Sequence, residues 1–119
     1  MEDANGNGEI NSNQCGDLIK IHLKIRDGII EKASFETYGS PAAIASSSIA
    51  TEIIQGETVQ TARALDARAI VQSLHGLPPE RMRSAVLAAK AVRLALDDYQ
   101  EKKHAKFLDS TQPGTERDA

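Results

Sequence analysis

One hundred and nineteen residues, 40% of them hydrophobic and 26% charged, suit a single soluble domain with a modest core, and only 3% aromatics make that core aliphatic. A net charge of -3 without a basic cluster or aromatic platforms argues against a nucleic-acid partner, and no apolar run is long enough for a membrane span. With one cysteine, Cys15, an intrachain disulfide framework is excluded; together with the lack of a charged-then-apolar leader this predicts a cytoplasmic location.

Residues 1–14, rich in Asn, Gly, Asp and Glu, read as a flexible N-terminal segment, open to a short edge strand at Gly8-Glu9-Ile10. Order is expected from Cys15-Gly16-Asp17. From Leu18 the chain alternates, with Ile19, Ile21, Leu23 and Ile25 on one face and Lys20, His22, Lys24 and Arg26 on the other, as in a half-buried antiparallel strand. Asp27-Gly28 is a strong hairpin turn signal, and Ile29 to Tyr38 returns as the partner strand with Ala33, Phe35 and Thr37 on one face. This hairpin brings Gly39-Ser40 back to the end of the sheet where Cys15-Gly16-Asp17 begins.

There the strand passes into a helix predicted from Pro41 to Gln55. Pro41 has no N–H to leave unpaired at the first helical position, Ser40 can cap the free N–H groups, and Gly56 stops the helix. Ala42, Ala43, Ala45, Ser46, Ser47, Ser48 and Ala50 leave little bulk, so this helix can approach its neighbours closely. Free N–H groups and the helix dipole make the corner attractive to a thiolate or another anion. Thr58 and Asp66 then cap two short helices, ending near Leu65 and Leu74, and Leu77-Pro78-Pro79 forms an extended joint. A long helix follows from Pro79 to about Lys103, its apolar stripe read as Met82, Val86, Ala89, Val92 or Arg93, Leu96 and Tyr99. Residues 105–119 read as a flexible tail, leaving one domain over 15–104.

The segments Cys15-Gly16-Asp17, Phe35-Glu36-Thr37-Tyr38-Gly39-Ser40, Ala43-Ile44-Ala45-Ser46-Ser47-Ser48 and Leu77-Pro78-Pro79-Glu80-Arg81 occur in the same order as in the IscU and NifU N-terminal family of iron-sulfur cluster scaffolds, which the chain resembles from about Glu9 to Tyr99. The resemblance implies an α+β fold of the IscU/NifU/SufE-like kind, a small antiparallel sheet packed against helices. It also implies iron or an iron-sulfur cluster as the group handled, and a cysteine desulfurase and an Hsp70-type chaperone as partners, the chaperone at Leu77, Pro78, Pro79, Glu80 and Arg81. Homodimer formation is left open.

The family pattern has three cysteines, an aspartate two residues after the first and a histidine beside the third. Cys15 and Asp17 match it and are the candidate metal and cluster ligands. Ser40 stands for the second cysteine, and Arg83-Ser84 for the histidine-cysteine pair. A serine hydroxyl does not readily ionise and Arg83 is permanently cationic, so one thiolate and one carboxylate fall short of a cluster within one chain. Two readings follow. In one, Cys15, activated by helix N-termini and Arg83, accepts sulfur or supplies one ligand to a cluster shared between chains, with Asp17 auxiliary. In the other, the chain is a non-catalytic adaptor binding a desulfurase or chaperone through the retained surface. Asp17 is equally open to a plain role as a turn cap or as partner of Arg83. His22, His75 and His104 lack ligand spacing with Cys15, and neither a serine-histidine-acid arrangement nor a glycine-rich phosphate loop is present, so no enzyme activity is expected.

Overall fold

The computed structural model describes residues 3–12, 16–73 and 82–111, with 104–111 as helix backbone. Among these residues, strands β1 (Gly6–Ser12), β2 (Asp17–Arg26) and β3 (Ile29–Tyr38) form one antiparallel sheet in the order β1-β2-β3. Helices α1 (Pro41–Ile54), α2 (Val59–Arg63), α3 (Ala67–Ser73) and α4 (Met82–Thr111) complete the expected α+β arrangement.

The alternation in β2 sets the layers. Ile19, Ile21 and Leu23 are fully buried and Ile25 nearly so, under α1 and α4. Asp17 shares their parity, so its carboxylate starts on the core side of the sheet. At the turn, Asp27 and Gly28 both adopt positive φ (55° and 77°), as a two-residue hairpin requires. A register shift at Lys24/Ile25 pairs Ile25 with Ile30 but Leu23 with Ala33, so Ile30 and Ala33 both face the core although they are three positions apart.

Three expectations are corrected. The edge strand left open at Gly8-Glu9-Ile10 forms and is longer, covering seven residues of the segment read as flexible, with Gly6 to Ser12 paired to Leu23 to Asp17. Its glycines are what allow this: Gly6 and Gly8 lie directly on the α4 backbone at Ala95 and Ala91. Pairing extends one rung further through Asn5, whose side chain donates to the Ile25 carbonyl (2.8 Å) and accepts the Ile25 N–H (2.9 Å), as a strand residue would.

The second correction concerns α4. Its buried face is Ala85, Ala88, Ala89, Ala91, Val92, Ala95 and Leu96, whereas Met82 and Val86 of the expected stripe are 39% and 36% exposed. A helix lying flush on a glycine-bearing strand must present methyl groups there, and its larger apolar side chains are displaced from that line. Third, the helix continues to Thr111, past the point where a tail was expected at 105. Glu101, Lys102 and Lys103 are good helix formers, and Lys102 pairs with Asp98 one turn back at 3.0 Å. The expected start at Pro79 lies outside the described residues.

The short helices begin at the expected caps: Thr58 Oγ1 accepts the Thr61 N–H and Asp66 Oδ1 the Ala69 N–H. The link from α1 to α2 runs beside β3, with Gly56 N–H on the Ile30 carbonyl, Ile30 N–H on the Glu57 carbonyl and Ala33 N–H on Gln55 Oε1. No helix of the described residues is long and apolar enough to cross a membrane.

Candidate functional site

The register of the hairpin builds the site. Leu18 pairs with Tyr38, so Asp17 at the start of β2 faces Gly39 and Ser40 as the chain leaves β3. Pro41 then opens α1, and Ser40 takes the extended conformation of an N-cap (φ -76°, ψ 156°). The Ser40 N–H donates to Asp17 Oδ1 (2.9 Å), the Ser40 hydroxyl donates to Asp17 Oδ2 (3.3 Å), and Ser40 Oγ accepts the Ala43 N–H (3.2 Å). Asp17 is only 4% exposed.

Gly39 closes the corner from the other side. Its φ is 142°, and a Cβ there would come within 2.9 Å of the Asp17 Cα and collide with the carboxylate. The position therefore takes no side chain. An anion was expected at this helix N-terminus, and the chain provides one itself: the Asp17 carboxylate satisfies the N-cap N–H and lies at the positive end of the dipole.

The expected site residues thus separate into groups. Asp17 and Ser40 are brought together by two hydrogen bonds. In the first turn of α4, Arg83 is exposed while Ser84 is buried, at 7% exposure. Ser84, at the position of the third family cysteine, is therefore packed against the core. Cys15 and the segment Leu77, Pro78, Pro79, Glu80 and Arg81 lie outside the described residues, as does His75. His22 is held at a distance from the corner by Asn7 (Nδ1 to Oδ1, 2.8 Å) and Glu36 (Nε2 to Oε2, 3.7 Å), on the face opposite Asp17.

The donor set does not fit a cluster held by one chain. Both Asp17 oxygens already accept protons from Ser40, the Ser40 hydroxyl is used as donor and cap, and the remaining family positions carry a guanidinium and a buried hydroxyl. Among the described residues no group of three or more His, Cys, Asp or Glu side chains is placed to hold a metal ion. Sequence reasoning missed the hydrogen-bonded coupling of Asp17 to Ser40. The signal was there in the parity of Asp17 with the buried isoleucines and in a serine directly before Pro41.

Known proteins share both the sequence and this architecture. The NifU-like N terminal domain family matches residues 1–106. Iron-sulfur cluster assembly scaffold protein IscU 1 of Archaeoglobus fulgidus is 43% identical over 99 residues, 83% of this chain and 65% of the relative, so the chain spans just under two thirds of that protein's length. The scaffold protein IscU of Escherichia coli K12 is 41% identical over 102 residues, 85% of this chain and 79% of the relative. Two solved structures share the fold. The N-terminal part of a NifU-like protein from Brucella abortus superposes with a TM-score of 0.64 at 23% identity, covering 86% of this chain and 83% of that one. The SUF-system scaffold protein from Fervidobacterium islandicum gives 0.66 at 23% identity, covering 81% and 83%. By sequence over nearly its whole length, and by a sheet and helices of the same arrangement, the chain belongs to the NifU-like N-terminal domain family.

Proposed function

We propose that the chain works in iron-sulfur cluster assembly as a scaffold-type protein whose remaining chemistry passes through Cys15, without assembling a cluster on the donors of a single chain. The observation that carries this reading is the corner itself: the strand-to-helix junction of the family is kept, while Asp17 is committed to Ser40 where the family pattern has a cysteine. Iron or an iron-sulfur cluster is then cargo, and no resident cofactor is invoked. Cys15 either accepts sulfur or gives one thiolate to a cluster shared by a homodimer, with Asp17 auxiliary only if it first releases Ser40. As acceptor, its thiolate attacks the outer sulfur of a donor persulfide; a new S–S bond forms on Cys15, the donor's S–S bond breaks, and the donor leaves as a thiolate.

A cysteine desulfurase is the donor this chemistry calls for, and Leu77, Pro78, Pro79, Glu80 and Arg81 form the segment proposed to engage an Hsp70-type chaperone. The role is non-catalytic and cytoplasmic. Anaerobic reconstitution with ferrous iron and sulfide, followed by metal analysis, absorption spectroscopy and size-exclusion chromatography, tests it. The expected result is no cluster on the monomer, and any cluster confined to a dimer and lost in Cys15→Ser. A full cluster on each monomer would overturn the reading. Sulfur transfer is read separately by mass spectrometry after incubation with a desulfurase and cysteine: a gain of one sulfur, absent in Cys15→Ser, supports it.

A further inference from the structure

The direction of the Ser40 hydrogen bonds decides what the corner can do. A hydroxyl has one proton and two lone pairs. Ser40 spends the proton on Asp17 Oδ2 and a lone pair on the Ala43 N–H, while its own N–H goes to Asp17 Oδ1. One residue thereby neutralises a buried carboxylate's need for donors and starts α1. The contact ties the beginning of β2 to the beginning of α1 across 23 residues of chain.

A thiolate at position 40 has no proton to give. It would set a second negative charge against Asp17 in a site where the carboxylate is 4% exposed, and two such anions repel strongly away from water. They stay together as a pair of anions only when a cation lies between them; otherwise the cysteine keeps its proton and offers Asp17 only a weak S–H donor. The serine hydroxyl removes that requirement, because it converts the same contact into a hydrogen bond. Gly39 adds to this by letting the backbone close onto Asp17.

We propose that Ser40 determines the metal demand of this corner: with serine, Asp17 is a hydrogen-bonded latch that closes the β2 to α1 junction without an ion, and with cysteine the same two positions become a ligand pair. Asp17 is thus a positioning residue in this chain. The closed corner is what a metal clip would otherwise supply by joining segments distant in sequence.

Thermal unfolding of the full chain in reducing buffer tests this, with EDTA or with zinc chloride as the probe. The native chain is expected to melt at the same temperature in both. Ser40→Cys should melt lower in EDTA, by about 3–8 °C if one capped hydrogen-bond pair is lost, and its midpoint should climb with zinc concentration. Adding Asp17→Asn to Ser40→Cys should abolish that climb, and Ser40→Ala should melt lower in both buffers. The proposal is overturned if zinc raises the melting temperature of the native chain and Asp17→Asn removes the rise, because Asp17 would then already be a ligand. It is equally overturned if Ser40→Cys matches the native chain in EDTA. Should Ser40→Cys fail to fold, amide exchange in the native chain keeps the question open to decision: the Ser40 N–H is expected to be protected in EDTA and unprotected in Asp17→Ala, and rapid native exchange refutes the latch. These readouts concern folding alone, so they stand apart from whether sulfur or a cluster passes through Cys15.

Discussion

Gly8 rests on the backbone of Ala91: a methyl group at Gly8 would run into the Ala91 carbonyl oxygen and approach the Ala95 Cα to 3.0 Å. The obstacle is helix backbone, which cannot swing aside as a long side chain would. Gly8→Ala is therefore expected to cost about 1–3 kcal/mol in urea unfolding, the usual range for overpacking. If the variant were as stable as the native chain, β1 would have to sit further from α4 than described.

Asn5 predicts a different kind of loss. Its amide completes both hydrogen bonds of Ile25, and Asn5→Asp keeps the acceptor while replacing the donor with an oxygen that faces the Ile25 carbonyl. A drop of about 1–3 kcal/mol is expected, the cost of leaving a partly buried polar group unpaired. Faster amide exchange at Ile25 in the variant would localise the effect.

The two faces of α4 can be told apart by truncation. Leu96 is fully buried and Met82 is 39% exposed. Leu96→Ala should lower stability by about 2–5 kcal/mol, and Met82→Ala should stay within about 0.5 kcal/mol of the native value. The reverse order would restore the stripe expected from periodicity.

Among the described residues, the ion pairs of Lys24 make stability depend on pH. Lys24 Nζ donates to Asp3 Oδ2 at 3.0 Å and pairs with Glu31 at 3.3 Å. The Lys24 hydrogen bond holds the Asp3 carboxyl below its ordinary value, and the bonds to Asp3 and then Glu31 raise Lys24. The depressed carboxyl stabilises the fold above the unfolded value of about 3.9, and this is lost as pH falls through the folded pKa. The raised ammonium stabilises it below about 10.4, lost as pH rises through its folded pKa. Because Asp3 is exposed and Lys24 only half-buried, the effect is small and salt-sensitive. In a carboxyl NMR titration, Asp3 should titrate at lower pH in the native chain than in Lys24→Gln, and the gap should narrow at about 1 M salt.

Legibility in the sequence followed the size of the residues that carry the pattern. Large aliphatics at a spacing of two disclosed β2, and Asp27-Gly28 disclosed its turn, so both hairpin strands were readable nearly to their ends. Where backbones approach closely, the informative residues are small. Gly6 and Gly8 look like loop composition, and Ala91 and Ala95 look neutral, although together they bring the backbones of β1 and α4 into direct contact. At the candidate site, hairpin geometry was sufficient to bring Asp17 and Ser40 to one place. Which atoms would bond was not readable, because Asp17 fits ligation and capping equally until the Ser40 hydroxyl is positioned.

The path from α1 to α2 also affects how copies of the chain meet. A bare outer strand offers its amides to any extended segment in solution, a route to fibrous aggregates. Along the first part of β3 those groups are already taken by Gln55, Gly56 and Glu57. On the far side of the sheet, Asp98 accepts the Asn7 amide. The polypeptide thus plugs its own lateral growth points at these positions, protection that a protein produced in quantity or held at high concentration would need.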